Sequence, residues 1–175
     1  MEESNDIKNV FLRPGQYWVG GASYRVRTLL GSCVSITLWH PTLRIGAMSH
    51  FLLATRGRGA VKPLDARYAE EATSLMLDEL ARQHVVPQEC QAKLFGGGNM
   101  FPHQTRDVDL HVGQRNGETA RALMRVHGIR VVSESLFGVG YRKIVFDLRT
   151  GHVWSRQVAP AEQLESGVAE GKPIR

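Results

Sequence analysis

Nothing in this sequence approaches the run of roughly 18 apolar residues that a membrane-spanning helix needs. Its opening, Met1-Glu2-Glu3-Ser4-Asn5-Asp6, also lacks the apolar stretch of a secretory signal. Both absences lead to the expectation of a cytoplasmic protein with no membrane insertion. Cysteine is scarce. Cys33 and Cys90 are the only two, and in a reducing compartment they stay free thiols rather than a disulfide framework. His40, His84, His103, His111, His127 and His152 show no spacing typical of a metal site, so neither a metal nor an organic cofactor is expected. The run Gly96-Gly97-Gly98 lacks the Gly-Lys-Ser/Thr of a phosphate loop and the later glycine of a dinucleotide fingerprint. Such a run fits a backbone that passes close to another element. No repeat of solenoid period is present.

Acidic residues are in the minority, 17 against 22 Lys and Arg, for a net charge of +5. A basic chain raises the question of nucleic acid. The cations are spread out, however, and the densest group (Arg56, Arg58, Lys62, Arg67) has no interleaved aromatics. We expect no nucleic-acid partner and a basic surface suited to an acidic protein.

What is present is enough chain for one domain: 175 residues, 42% of them hydrophobic. Residues 1–8 read as a flexible N-terminus and 9–158 as the folded domain. Residues 159–175 are polar, hold two prolines and show no period, so they read as a mobile tail. Pro14-Gly15 turns between two short extended pieces. Residues 24–30 alternate apolar and polar as a half-buried strand does, Gly31-Ser32 breaks the pattern, and 33–39 resumes it. Residues 44–53 form a third apolar stretch, read as a strand carrying His50, and 54–62 a loop. Residues 64–84 have a helical period, with Ala69, Ala72, Leu75, Met76, Leu77 and Leu80 on the apolar face and Pro87 beyond the end. A short strand at 93–95 leads into the glycine run. A second helix spans 112–127, capped by Gly128, and strands follow at 129–136, 141–148 and 152–158. Four strands, helix, strand, helix and three strands is not the alternation of a doubly wound sheet. It predicts the α+β class: a single layered domain with mixed, largely antiparallel curved β-sheets and two principal helices.

The chemistry gathers at Thr28-Leu29-Leu30-Gly31-Ser32-Cys33-Val34 and at His50, seventeen residues past the cysteine. A thiolate is the nucleophile in cysteine catalysis, and a histidine beside it takes the proton and later returns it. Adjacent strands in register would bring the facing Cβ atoms of Cys33 and His50 within about 4.5–5.5 Å. A third group commonly fixes the imidazole tautomer. Thr28 is the nearest hydroxyl, with Ser32, Ser49 and a backbone carbonyl as alternatives. Backbone N–H groups of the Gly31–Ser32–Cys33 turn are the candidate oxyanion hole. On residue types alone, the commoner reading of such a cysteine is a small buried hydrophobe, and of such a histidine a hydrogen-bonded core residue.

Six separated blocks change that balance. They are residues 28–34, 46–53 (Gly-Ala-Met-Ser-His-Phe-Leu-Leu), Ala66-Arg67-Tyr68, 92–100 (Ala-Lys-Leu-Phe-Gly-Gly-Gly-Asn-Met), 128–132 (Gly-Ile-Arg-Val-Val) and 142–146 (Arg-Lys-Ile-Val-Phe). In order, they resemble the CheD family, the chemoreceptor glutamine deamidases of bacterial chemotaxis. Ala54 stands where proline often follows in that family, and Gly98 where alanine is usual. The resemblance implies deamidation of selected Gln side chains of methyl-accepting chemotaxis receptors to Glu, with release of ammonia. It implies Cys33 as nucleophile through a thioester, His50 as general base and acid, and Thr28 as the third catalytic position. It implies no cofactor, and leaves a CheC-type phosphatase as a further candidate partner. Two rivals share the same surface: a non-catalytic adaptor that holds receptors or the phosphatase, and a methylesterase acting on receptor glutamyl esters.

Overall fold

The computed structural model describes residues 6–57, 61–103 and 107–159, with residues 107–110 as backbone only. The expectations for residues 1–5 and 160–175 lie outside the described residues. Five strands, β1 (Lys8–Phe11), β2 (Tyr17–Gly20), β3 (Tyr24–Leu30), β4 (Val34–Trp39) and β5 (Gly46–Ser49), precede helix α1 (Ala69–Arg82). Then follow β6 (Gln91–Gly96), α2 (Asp107–Val126), β7 (Arg130–Leu136), β8 (Tyr141–Asp147) and β9 (Val153–Val158). The pieces flanking Pro14-Gly15 are both full strands, which gives five rather than four before the first helix.

Two sheets form, with strand orders β1-β3-β8-β9 and β2-β5-β4-β6-β7. Pairing is antiparallel except for β1 with β3 and β6 with β7. The alternation within β4 sets the layers. Val34, Ile36 and Leu38 join a core with Met76 and Leu80 of α1 and Met124 of α2, while Cys33 and Trp39 pack toward the other side. There Met48 and Phe95 of the five-stranded sheet meet Val26, Leu30, Ile144 and Phe146 of the four-stranded one. Period-two strands buried on both faces thus sit between helices and a second sheet. The chain is one α+β domain in three layers.

Three predicted boundaries are corrected. Helix α1 starts at Ala69 rather than 64, because Glu71 pulls the preceding residues into a loop: its buried carboxylate accepts from Arg56 Nε and Nη2 and from the Asp65 N–H. Helix α2 starts at Asp107 rather than 112; its first turns carry Asp107 and Asp109, which suit a helix N-terminus but show no apolar period. Strand β5 ends at Ser49 rather than running to 53. The backbone groups needed to extend it are claimed elsewhere: His50 N–H donates to Gln16 O at 2.9 Å, Gly15 N–H to His50 O at 2.8 Å, and Leu52 N–H to Arg67 O at 2.8 Å. Beyond Ser49 the ladder to β4 survives as one bridge, Val34 with Phe51.

Candidate active site

Cys33 lies in the turn that carries the chain from β3 in one sheet to β4 in the other. All three carbonyls of that turn are held. Gly98 N–H donates to Gly31 O at 2.9 Å, Gly97 N–H to Cys33 O at 2.9 Å, and Asn116 Nδ2 to Ser32 O at 3.1 Å. The glycine run makes this approach possible. A Cβ on Gly96, whose φ is +112°, would sit 2.2 Å from Cys33 O, and one on Gly98 would sit 2.3 Å from Gly140 O. With the carbonyls fixed, the N–H groups of Ser32 and Cys33 make no hydrogen bond to another residue among the described ones. Partly exposed donors of this kind, beside a thiol, can receive an oxyanion.

His50 is 2% exposed, and the N-terminal segment pins it. Its ring Nδ1 is 2.7 Å from Thr28 Oγ1, which is itself 2.7 Å from Leu12 O. Hydrogen-bond inventory then fixes the tautomer. A carbonyl only accepts, so the single Thr28 proton goes to Leu12, and the hydroxyl must accept from His50 Nδ1–H. Nε2 then carries the lone pair and makes no hydrogen bond among the described residues. Burial lowers the His50 pKa to about 4, with the Leu12 carbonyl opposing in part, so the ring is neutral at pH 7. Burial likewise pushes the Cys33 thiol above its ordinary value, partly offset by its own backbone N–H. At rest the two groups are a thiol and a neutral imidazole.

The predicted face-to-face pairing of Cys33 with His50 is corrected. Val34 opposes Phe51 and Thr37 opposes Met48, so Cys33 stands across from Leu52, and Ser35 across from His50. Cys33 and His50 share the face turned to the second sheet but sit on the diagonal, roughly 7–8 Å apart at Cα. No hydrogen bond joins them among the described residues.

Of the alternatives for a third group, the structure brings Thr28 and a backbone carbonyl together, whereas Ser49 Oγ accepts from Ile36 N–H at 3.1 Å. Leu12 and Asn116 were not legible as site residues: the first acts through its carbonyl, and the second through bonds to backbone. The one available signal was a polar side chain flanked by Gly113, Gly117 and Ala120 on one helix face. Ser35 Oγ, buried opposite His50, has no hydrogen-bond partner among the described residues. In the basic loop, Arg56 pairs with Glu71 and Arg67 with Asp65, and both guanidinium groups lie over the Tyr68 ring. These cations are internally occupied. A cavity of about 900 Å³ adjoins the N-terminal segment, lined by Leu12, Gln16, Tyr17, Trp18, Arg56 and Leu75 among others but not by Cys33. Cys33 itself is partly buried.

The family model described as CheD chemotactic sensory transduction matches residues 52–157. That stretch begins just past His50, so it speaks for the fold and not for Cys33, Thr28 or His50. A protein of Albidiferax ferrireducens named "Probable chemoreceptor glutamine deamidase CheD 2" is 61% identical over 153 residues, covering 87% of this chain and 88% of its own. Proteins named "Probable chemoreceptor glutamine deamidase CheD" from Pseudomonas savastanoi pv. phaseolicola and "CheD 3" of the same description from Dechloromonas aromatica are 42% and 43% identical. They cover 91% and 86% of this chain, and 89% and 88% of their own lengths. With such matches along most of its length, this chain belongs to the CheD family.

Proposed function

We propose that this protein is a cytoplasmic protein-glutamine deamidase that converts Gln side chains of methyl-accepting chemotaxis receptors to Glu. The observation that supports it most is the Leu12–Thr28–His50 relay, which engages Nδ1 and leaves Nε2 to act as base on a ring that shares a sheet face with Cys33. A cysteine that is only partly buried and lies outside the large cavity suits a side chain presented by a folded partner. In the reaction, Cys33 Sγ attacks the side-chain amide carbon while its proton passes to His50 Nε2. The Ser32 and Cys33 N–H groups receive the oxyanion. The tetrahedral species collapses to a thioester as His50 returns its proton to the departing nitrogen, and ammonia leaves. Water then gives a proton to His50 and hydroxide to the acyl carbon. The Cys33 sulfur departs, regains the proton, and glutamate is left on the receptor.

Intact-mass spectrometry of a purified receptor cytoplasmic fragment tests this reading. Incubation should add about one mass unit per modified glutamine, with one ammonia released for each. Tight binding without a mass change would replace the deamidase with the adaptor reading, in which the same face holds a receptor or a CheC-type phosphatase.

Two further outcomes follow from the geometry. Because burial disfavours both the thiolate and the imidazolium, wild type and Cys33→Ser should show the same ultraviolet absorbance at pH 7. The thiolate band should appear only above the ordinary thiol range; a band at pH 7 would mean a preformed ion pair. Gly96→Ala places a Cβ against Cys33 O at a φ that L-residues rarely adopt. It should lower stability by about 1–3 kcal/mol and ammonia release by at least about tenfold, measured by urea unfolding and a coupled ammonia assay.

A further inference from the structure

Helix α2 contributes nothing to the proposed chemistry, yet its first half is pressed against the Cys33 turn. Gly113 and Gly117 allow this approach. A Cβ at Gly113 would lie 2.7 Å from Gly97 O and 2.9 Å from Gly98 O, and one at Gly117 would lie 2.4 Å from the Phe137 ring. Between them, on the same face, is Asn116, 1% exposed. Its Nδ2 donates to Ser32 O at 3.1 Å and to Leu52 O at 2.7 Å. Both partners are carbonyls, which only accept, so the amide has one possible orientation and both of its hydrogens are used.

The two acceptors have particular positions. Ser32 precedes the thiol, and Leu52 stands across the ladder from Cys33, two residues past His50. The last backbone rung between these segments is Val34 with Phe51, closed by two bonds of 3.1 Å. Past that rung the next bonded pair of the ladder would be Ser32 with Leu53, but Leu53 N–H donates to Arg67 O at 3.1 Å and Leu53 O accepts from Ala69 N–H at 2.9 Å, so no further backbone bond joins the two segments among the described residues. The Asn116 amide supplies the missing rung.

We propose that Asn116 is a positioning residue that sets the separation of Cys33 from His50 by bridging Ser32 and Leu52. The proposal rests on the assignment of Cys33 and His50 as nucleophile and base. It gives the diagonal placement of the pair a purpose: the gap that a proton must cross is held by a side chain from a third element, and the strand ladder alone leaves it loose. A displacement of about 1 Å in such a constellation is enough for roughly a 10²-fold loss of rate.

The test uses the full chain and two assays. In deamidation of the receptor fragment, Asn116→Ala should lose about 10²-fold in kcat, with KM changed by less than about twofold because Asn116 reaches no substrate. In alkylation of Cys33 by iodoacetamide at pH 7, without receptor, Asn116→Ala and His50→Ala should each slow the reaction by at least about fivefold. The double variant should be no slower than the slower single one, since both act on one proton transfer. Met124→Ala, at a 0% exposed position on the same helix where a large-to-small change costs stability, should keep kcat within about threefold, so that lost stability alone does not explain the effect. If Asn116→Ala does not fold, Asn116→Gln keeps both donors on a longer arm and should lose about tenfold in kcat at unchanged KM. The proposal is overturned if the folded variant keeps more than half of wild-type kcat, if the two alkylation effects simply add, or if Met124→Ala loses as much. A wild type that releases no ammonia, while alkylation still depends on Asn116 and His50, would remove the deamidase reading and leave the positioning role standing.

Discussion

Cys33→Ala is expected to reduce ammonia release below about one part in 10⁴ of wild type, and His50→Ala by about 10²–10⁴-fold. The first variant removes the only atom able to form the thioester. The second leaves a thiol whose pKa is already raised by burial without a base, and a departing nitrogen without a proton. Combined, the two should be no worse than Cys33→Ala alone, because groups acting as one unit do not add. The folded state should tolerate the first change well, since Cys33 is only partly buried.

His50→Ala carries an internal check on the buried ring. The folded-state pKa is about 4 against an ordinary 6.5, so as pH falls the unfolded chain takes the proton first. Stability supplied by keeping this ring neutral is therefore complete above 6.5 and is lost as pH falls through about 4, amounting to as much as about 3 kcal/mol. Urea unfolding of wild type should weaken across that window, and the His50→Ala curve should be flatter there. Equal slopes would mean that the ring titrates normally and is not held by Leu12 and Thr28.

How much of this was readable beforehand differs by the range of the interactions. The period of 24–30 gives strand β3 directly, because Val26, Thr28 and Leu30 are buried while Arg27 and Leu29 face solvent. The partition into two sheets is not legible. It depends on pairings such as Leu30 with Arg142 and Val34 with Gly96, which bring together residues far apart in sequence. Strand β4 is buried along almost its whole length, so its pattern does not say which face meets helices. At the site, Cys33 and His50 are visible as residue types in context, and the family resemblance gives them roles. Thr28 is found by its nearness in sequence to the turn. Leu12 has no sequence signal, because any residue has a carbonyl. Glu71, in a helix otherwise read as solvated on its acidic side, is buried and holds the loop that supplies Arg67 O to Leu52. An ion pair across a loop leaves no trace in helical period.

Thr28→Val is the sharpest test of the relay. Valine matches threonine in shape and suits a strand, so the 3% exposed site stays filled. What disappears is the oxygen that accepts from His50 Nδ1–H and donates to Leu12 O. Two buried groups lose their partner, which should lower stability by about 1–3 kcal/mol. The imidazole proton also loses the acceptor that fixes it on Nδ1. In a hydrolase triad a wrongly held tautomer lowers kcat by about 10⁴-fold. A neutral hydroxyl orients the ring less strongly than a carboxylate, and about 10²-fold is expected here, with KM for the receptor fragment nearly unchanged. Thr28→Ser keeps the oxygen and should retain a third or more of wild-type kcat. Ring-nitrogen shifts of His50 by NMR separate tautomer loss from simple destabilisation: Thr28→Val should show a mixture where wild type and Thr28→Ser show Nδ1–H. A valine variant within about threefold of wild-type kcat would remove Thr28 from the machinery and leave the Leu12 carbonyl to hold the ring alone.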